Sequence, residues 1–341
     1  MQAIVLTEPG HLAFDERPAP ADPLPGHALV RVHRIGVCGT DFHAYRGRQT
    51  FFTYPRILGH ELGVEIVAVN PAPDAPSPVA VGDHCAIEPY LYCGKCIACR
   101  QGRTNCCVNM QVMGVHVDGG MRPYLTVPLH HLHPSRTLSL DQLALVEMLT
   151  IGAHAVDRPA TGAGETALVL GVGPIGLTVI QFAQAAGAHI LAADIDEQRL
   201  AFCREQLGVE HTLLVGDTLA DQVRDLTDGD MATIVFDATG NPASMNGSLR
   251  YLANAGRLVF VGHYPGDLSL SDPEFHRRET TLYGSRNSTA RDFRRVISLM
   301  ESGQVDTTPW ITHRVAFPQV IDVFPTLLSP EAGVIKAVIE V

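Results

Sequence analysis

Thr166-Ala-Leu-Val-Leu-Gly171-Val-Gly173-Pro174-Ile175-Gly176-Leu-Thr-Val-Ile-Gln-Phe-Ala-Gln-Ala-Ala186-Gly-Ala-His189-Ile-Leu-Ala-Ala-Asp194 is the stretch whose reading decides the fold. Residues 166–170 form a short apolar run with the look of a buried strand. A helix is expected over residues 174–186, with Pro174 in its first turn, where a missing N–H costs little. Residues 189–193 form a second buried strand. Strand, helix and strand in about 30 residues make a βαβ unit, which requires parallel pairing. Further strands are expected at residues 233–236 and 257–261, with helical runs between them. This half of the chain therefore reads as a doubly wound parallel sheet.

The turn between the first strand and the helix carries G-x-G-x-x-G at Gly171, Gly173 and Gly176, with Pro174 and Ile175 completing it. Glycines there permit a tight turn, close approach of backbone to a pyrophosphate, and close packing of helix on strand. The helix N-terminus then faces the phosphates. Asp194 ends the second strand about 20 residues on, where a carboxylate accepts both hydroxyls of an adenosine ribose. That carboxylate repels a 2′-phosphate, so NAD is expected over NADP. The competing reading makes Asp194 a cap for the next helix. Arg199, on that helix, is a candidate for stacking on the adenine.

Upstream the texture differs. Fourteen of the 23 prolines fall before residue 135, among short β-rich runs, so an irregular, barrel-like β domain is expected there. Within it, Cys93, Cys96, Cys99 and Cys107 supply four thiolates in one loop. Such a loop can close around a tetrahedral structural Zn²⁺. The alternatives are disulfides, which call for a secretory context, and an iron–sulfur cluster, whose usual spacing fits poorly. A second group of ligand types sits earlier, at Cys38, His60 and Glu61. A catalytic zinc takes about three protein ligands and leaves one position open. Near the C-terminus an amphipathic helix is expected over residues 289–302, capped by Ser288 or Thr289 and stopped by Gly303. Residues 334–341 read as a strand returning to the first domain.

Bulk properties bound the function. At 341 residues two domains are the default. A composition of 46% hydrophobic and 18% charged residues is that of a globular protein. The formal net charge of −11 argues against nucleic-acid or anionic-membrane partners. No membrane span is expected, since the most apolar stretch, residues 166–188, is interrupted by Gly, Pro and Gln. The first residues lack the basic and apolar regions of a signal peptide. Together with cysteines at metal spacing, this leads to an expected cytoplasmic location.

The motifs Gly36-Val-Cys-Gly-Thr-Asp-Phe-His43, Gly59-His-Glu61, Val81-Gly-Asp83, the four-cysteine lobe and the glycine-rich turn stand in one order. In that order the chain resembles the zinc-dependent medium-chain alcohol/polyol dehydrogenases over essentially its whole length. The resemblance implies a GroES-like catalytic domain of residues 1–148 and 289–341, with a zinc lobe at about 88–110. Into it a Rossmann NAD-binding domain, residues 149–288, is inserted, and the active site lies in the cleft. It also implies two Zn²⁺ per chain and NAD. Cys38 and His60 become ligands of the catalytic zinc, joined by Glu61 or Glu147. Glu147 falls where sorbitol and threonine dehydrogenases carry a carboxylate. Thr40 takes the alcohol proton, and His43 relays it to solvent through the cofactor ribose.

Local stretches look closest to sugar-acid dehydrogenases of the L-galactonate 5-dehydrogenase kind: residues 49–55, 102–107, 114–120, 271–281 and 284–287. A carboxylate substrate wants an arginine, and Arg46, Arg48 and Arg286 are candidates. Glu88, Tyr90, His116 and Asn287 are candidates for holding substrate hydroxyls. The alternatives are a neutral polyol or L-threonine as substrate, and, outside catalysis, a zinc-stabilised dinucleotide-binding protein. A homodimer or homotetramer is expected. Residues 257–261 and the segment after them are placed at the far edge of the sheet, where the resemblance implies two-fold pairing.

Overall fold

The computed structural model describes residues 1–50, 52–74 and 76–341, and the chain divides into two compact units. One is Met1–Met148 with Ser288–Val341, the other Leu149–Asn287.

Among the described residues the second unit is built on a six-stranded sheet. In spatial order its strands are His211–Leu214, His189–Asp194, Thr166–Leu170, Ala232–Asp237, Leu252–Phe260 and Thr281–Gly284. Every pairing is parallel. Numbered within the unit, the order is 3-2-1-4-5-6, reversing direction between Thr166–Leu170 and Ala232–Asp237. Leu168, Leu170, Leu191, Val235 and Leu258 pack one core of this unit. The helix Pro174–Ala185 begins at the proline and ends against Gly187, whose φ of +87° breaks the helical path.

One expectation is corrected here. The strand carrying residues 257–260 is not the edge: it pairs with Ala232–Asp237 on one side and Thr281–Gly284 on the other. The helix Asp272–Arg277 returns the chain for one more parallel strand, so the true edge is Thr281–Gly284.

In the first unit the long strand His27–Val37 is the hub. It pairs with Glu61–Asn70 along one side. Its other side is shared by Tyr124–Pro128, opposite residues 27–31, and Lys336–Glu340, opposite residues 34–37. His84–Ile87, Leu132–Pro134 and Ile311–Ala316 complete this sheet. A second sheet holds the hairpin Gln2–Glu8 with His11–Glu16, and Arg56–Ile57 beside it. Ile4, Leu6, Ile35, Ile57, Leu62 and Ile66 fill the core between these strands.

The helix Ala290–Glu301 starts at Thr289, whose N–H donates to Asp292 Oδ2 at 2.8 Å in a capping box. It buries Phe293, Val296, Ile297 and Met300, the apolar stripe anticipated from the sequence. Among the described residues no helix is long and apolar enough to cross a membrane.

Candidate functional site

Cys38 is the N-cap residue of the short helix Gly39–Tyr45, and its N–H donates to Asp41 Oδ2 at 2.9 Å. His60 and Glu61 stand where Glu61–Asn70 begins, and Glu61 lies opposite Gly36 in the strand register. A Cβ on Gly36 would collide with the Glu61 side chain, so that glycine is what lets a carboxylate lie over the strand. The result brings one ligand atom each from Cys38, His60 and Glu61 within 4.8 Å of one another. His60 and Glu61 are buried and Cys38 half-buried.

Two further groups complete the cluster. Lys336 is 2% exposed and donates Nζ to both Glu61 oxygens, at 2.7 and 2.5 Å, and to the Val37 carbonyl at 3.1 Å. Asp41 is also buried, and its Oδ1 faces His60 Nδ1 at 3.8 Å. Neither atom has a hydrogen-bond partner. Sequence reasoning missed both residues. The available signal for Lys336 was a lysine directly beside the apolar run Ala337–Ile339 of the terminal strand.

Glu147 lies outside the set of three mutually close ligands. Its carboxylate accepts the Tyr90 hydroxyl, so Tyr90 faces that carboxylate. Burial raises the pKa of both Asp41 and Glu147. Burial would lower that of His60, but the Cys38 thiol and Asp41 carboxylate beside it carry it well above its ordinary value. Four acidic groups thus gather around two basic ones, Lys336 and His60, in a buried place. A cation bound among them would relieve that imbalance.

The four-cysteine lobe hangs between the paired strands Tyr90–Leu91 and Gln111–Val112. Its four sulfurs lie within 4.8 Å of one another. Two pairs, Cys96 with Cys99 and Cys93 with Cys107, stand at 3.5 Å. Disulfide sulfurs would be about 2.05 Å apart, whereas a ZnS₄ tetrahedron has edges of about 3.8 Å. The N–H groups of Cys93 and Asn109 donate to Cys107 Sγ, each at 3.3 Å. Backbone N–H groups of Lys95 and Cys96 pull the Cys93 thiol down to about 6. Both the spacing and the donors suit bound thiolates. Cys106, one residue early, is exposed and outside the set.

In the second unit Gly171 has φ +80°, and a Cβ on Gly176 would strike the Gly171 carbonyl oxygen. Gly173 caps the helix without a side-chain bond, leaving first-turn N–H groups of the helix that opens with Pro174 and Ile175 for a phosphate. Asp194 is buried and accepts the N–H groups of Val172 at 2.7 Å and Asp196 at 3.0 Å. The next helix, Glu197–Leu207, is capped by Asp196, which removes the capping role from Asp194. Arg199 is exposed, its guanidinium 3.9 Å from Asp194.

The substrate candidates take varied positions in the structure. Glu88 is 1% exposed and bonded to His133 at 3.1 Å. It follows the strand His84–Ile87, and its Oε1 has no hydrogen-bond partner. His116 Nδ1 accepts the Val112 N–H at 3.0 Å, a bond within its own turn. Arg46 donates to the Leu328 carbonyl at 2.9 Å, while Arg48 and Arg286 are exposed. Asn287 has φ +48° and is half-buried. Thr40 is half-buried and His43, one turn on, is exposed. Partial burial and the nearby Arg46 and Arg48 hold the His43 pKa below its ordinary value. Of residues 49–55, Phe51 lies outside the described residues.

The chain is similar to known proteins over nearly its whole length. Residues 24–137 match the alcohol dehydrogenase GroES-like domain, and residues 174–302 match the zinc-binding dehydrogenase domain. L-galactonate-5-dehydrogenase of Escherichia coli K12 is 39% identical over 345 residues, covering 99% of this chain and 98% of that protein. The chain belongs to the zinc-binding alcohol dehydrogenases. Sorbitol dehydrogenase of Bacillus subtilis is 30% identical over 348 residues, or 99% and 97% of the two chains. The crystal structure of the alcohol dehydrogenase RspB from E. coli CFT073, complexed with NADH, superposes with a TM-score of 0.92. It shares 28% identity and covers 100% of this chain and 99% of its own. As a zinc-binding alcohol dehydrogenase, the protein is an oxidoreductase acting on CH–OH with zinc and a nicotinamide dinucleotide. Its first unit is GroES-like and its second a Rossmann domain. Both donor sets described above, the four thiolates and the Cys38–His60–Glu61 group, have the chemistry that zinc takes.

Proposed function

We propose that the protein oxidises a secondary hydroxyl of an L-galactonate-like sugar acid to a ketone, with NAD as the electron acceptor. The observation that carries this reading is 39% identity to L-galactonate-5-dehydrogenase across nearly the full length of both proteins. Bound zinc supplies the Lewis acidity that makes an alcohol proton labile near neutral pH, and bound NAD supplies the hydride acceptor.

The chain's own residues do the rest. Cys38 and His60, with Glu61 or Glu147, hold the catalytic zinc, and Cys93, Cys96, Cys99 and Cys107 hold a second, structural one. Asp41 lies 3.8 Å from His60 Nδ1, and a carboxylate on that side favours the tautomer protonated there, which leaves Nε2 to ligate. Thr40 Oγ1 accepts the substrate proton, and His43 releases it to solvent. Partial burial, with Arg46 and Arg48 adding to it, lowers the His43 pKa and so favours the neutral imidazole that can accept that proton. Gly171, Gly173 and Gly176 admit the pyrophosphate, and Asp194 holds the adenosine ribose.

Arg48 is our candidate for the substrate carboxylate, since Arg46 already donates to Leu328. Two charge-assisted bonds to a carboxylate are worth a few kcal/mol, on the order of a hundredfold in kcat/KM over the matching polyol. The second reading, a neutral polyol substrate, is favoured by the 30% identity to sorbitol dehydrogenase. Following reduced nicotinamide across aldonates, polyols and L-threonine separates the two. Equal efficiency on sorbitol and L-galactonate would defeat the sugar-acid assignment.

A further inference from the structure

Two carboxylates approach Cys38 and His60, and each is already engaged. Lys336 holds Glu61 through both oxygens, yet Glu61 still has a ligand atom within 4.8 Å of those of Cys38 and His60. A carboxylate has about four acceptor sites, so the ammonium leaves room for a cation. Glu147 is different. It is 5% exposed, it lies outside that set, and the Tyr90 hydroxyl donates to its Oε1.

Tyr90 is rigidly placed for this. It is 2% exposed and starts the strand Tyr90–Leu91, which pairs with Gln111–Val112. Its ring meets Phe293 edge-on at 6.5 Å. The Ser288 hydroxyl is within hydrogen-bond reach of the phenol oxygen, so the phenol both accepts and donates. A phenol locked in this way fixes where the carboxylate points, as outer-shell groups do around metal ligands.

We propose that Tyr90 is a positioning residue that keeps Glu147 off the zinc, leaving Cys38, His60 and Glu61 as the resting protein ligands. One coordination position then stays open for substrate. This inference rests on the reading of Cys38 and His60 as zinc ligands. It assigns the two glutamates different work, one bound to metal and one poised beside it.

The test measures zinc affinity at this site by chelator competition, with the visible spectrum of the cobalt-substituted enzyme as a second readout. In Tyr90→Phe the released Glu147 takes the open position: zinc is held about tenfold more tightly, and the cobalt bands shift as a second carboxylate enters the ligand set. kcat falls, with KM little changed. Glu147→Gln, whose amide oxygen can still accept the phenol, keeps zinc affinity within about twofold of wild type. The double variant Y90F/E147Q returns to the wild-type affinity and spectrum. A tenfold or greater loss of zinc affinity in Glu147→Gln would show Glu147 to be a resting ligand and overturn the proposal, whether or not Tyr90→Phe folds. An unchanged cobalt spectrum in folded Tyr90→Phe would overturn it as well. Wild-type enzyme that binds no metal through Cys38 and His60 would sink the functional reading too. Metal-loaded, active wild type with either of the other two results sinks this inference alone.

Discussion

Lys336 is the residue whose loss the first unit should feel most. Its ammonium makes three bonds in a buried place, two to Glu61 and one to the Val37 carbonyl. Removing one partner of a buried pair strands the other charge, at a cost of about 3–5 kcal/mol. Lys336→Met should therefore lower unfolding stability by that amount in zinc-stripped protein, with Lys336→Arg recovering part of it. A denaturant midpoint unchanged by Lys336→Met would contradict the assignment. At the cofactor end the residue to test is Asp194, which also ties Val172 and Asp196 through their N–H groups. Asp194→Ser should weaken NAD binding about tenfold or more and narrow the gap to NADP, since the repulsion of a 2′-phosphate goes with the carboxylate. Wild type that reduces NADP as fast as NAD at equal concentrations would refute this.

Elements carry two further expectations. The cysteine lobe has little core of its own: its helix Ile97–Arg100 spans four residues and has no buried side chain. Its order must come chiefly from metal ligation, because ligation free energy is folding free energy in such lobes. Cys96→Ser should remove one zinc equivalent of an expected two and expose the lobe to proteolysis between residues 93 and 107. A variant with full zinc content would exclude this role. The turn Leu129–His131 contributes a pH dependence. Burial pushes the His131 pKa to about 3, with His130 adding to the effect, and its Nδ1 pairs with the Glu88 carbonyl at 3.0 Å. Below its ordinary value of 6.5 the unfolded chain takes up a proton that the folded chain refuses. Stability is therefore fully present above that pH and falls as the solution is acidified, by about 2 kcal/mol between pH 7 and 5 from this group. His131→Asn should flatten that part of the slope, and an identical slope in the variant would show that His131 does not supply it.

For the whole molecule, the exposed strand edge points to assembly. Thr281–Gly284 ends the six-stranded sheet, and Leu282 on it is 39% exposed. An unpaired edge with apolar character is a liability that proteins cover, and a second copy of the same edge across a two-fold axis would cover it. Sedimentation at micromolar concentration should show a dimer or tetramer, and an exclusive 36.8 kDa species would rule this out. The net charge of −11 suits small-molecule chemistry better than nucleic acid. It also makes the exposed arginine pair Arg46 and Arg48 the feature to test for the anionic substrate proposed above.

What the sequence determined by itself is what lies close together along the chain. The βαβ unit, its glycine-rich turn and Asp194 fall within about 30 residues, so periodicity and turn chemistry specify their geometry directly. The four cysteines of the lobe sit in one loop, and their spacing reports a tetrahedron before any long-range contact forms. Cys38 and His60 were singled out by motif order, and the folded chain brings their ligand atoms together; the helix Ala290–Glu301 was legible through its stripe and cap. The tertiary structure decided the pairings between distant segments. Lys336 reaches Glu61 across 275 positions and Tyr90 reaches Glu147 across 57. The pairing of Glu88 with His133 likewise joins residues 45 positions apart and could not be read from local pattern. The sheet edge was misplaced by one strand because local pattern cannot count how many crossovers follow. Side-chain spacing encodes geometry within an element. Which elements become neighbours is set by the global pairing of strands, such as residues 34–37 with 337–340, and only the folded chain contains that information.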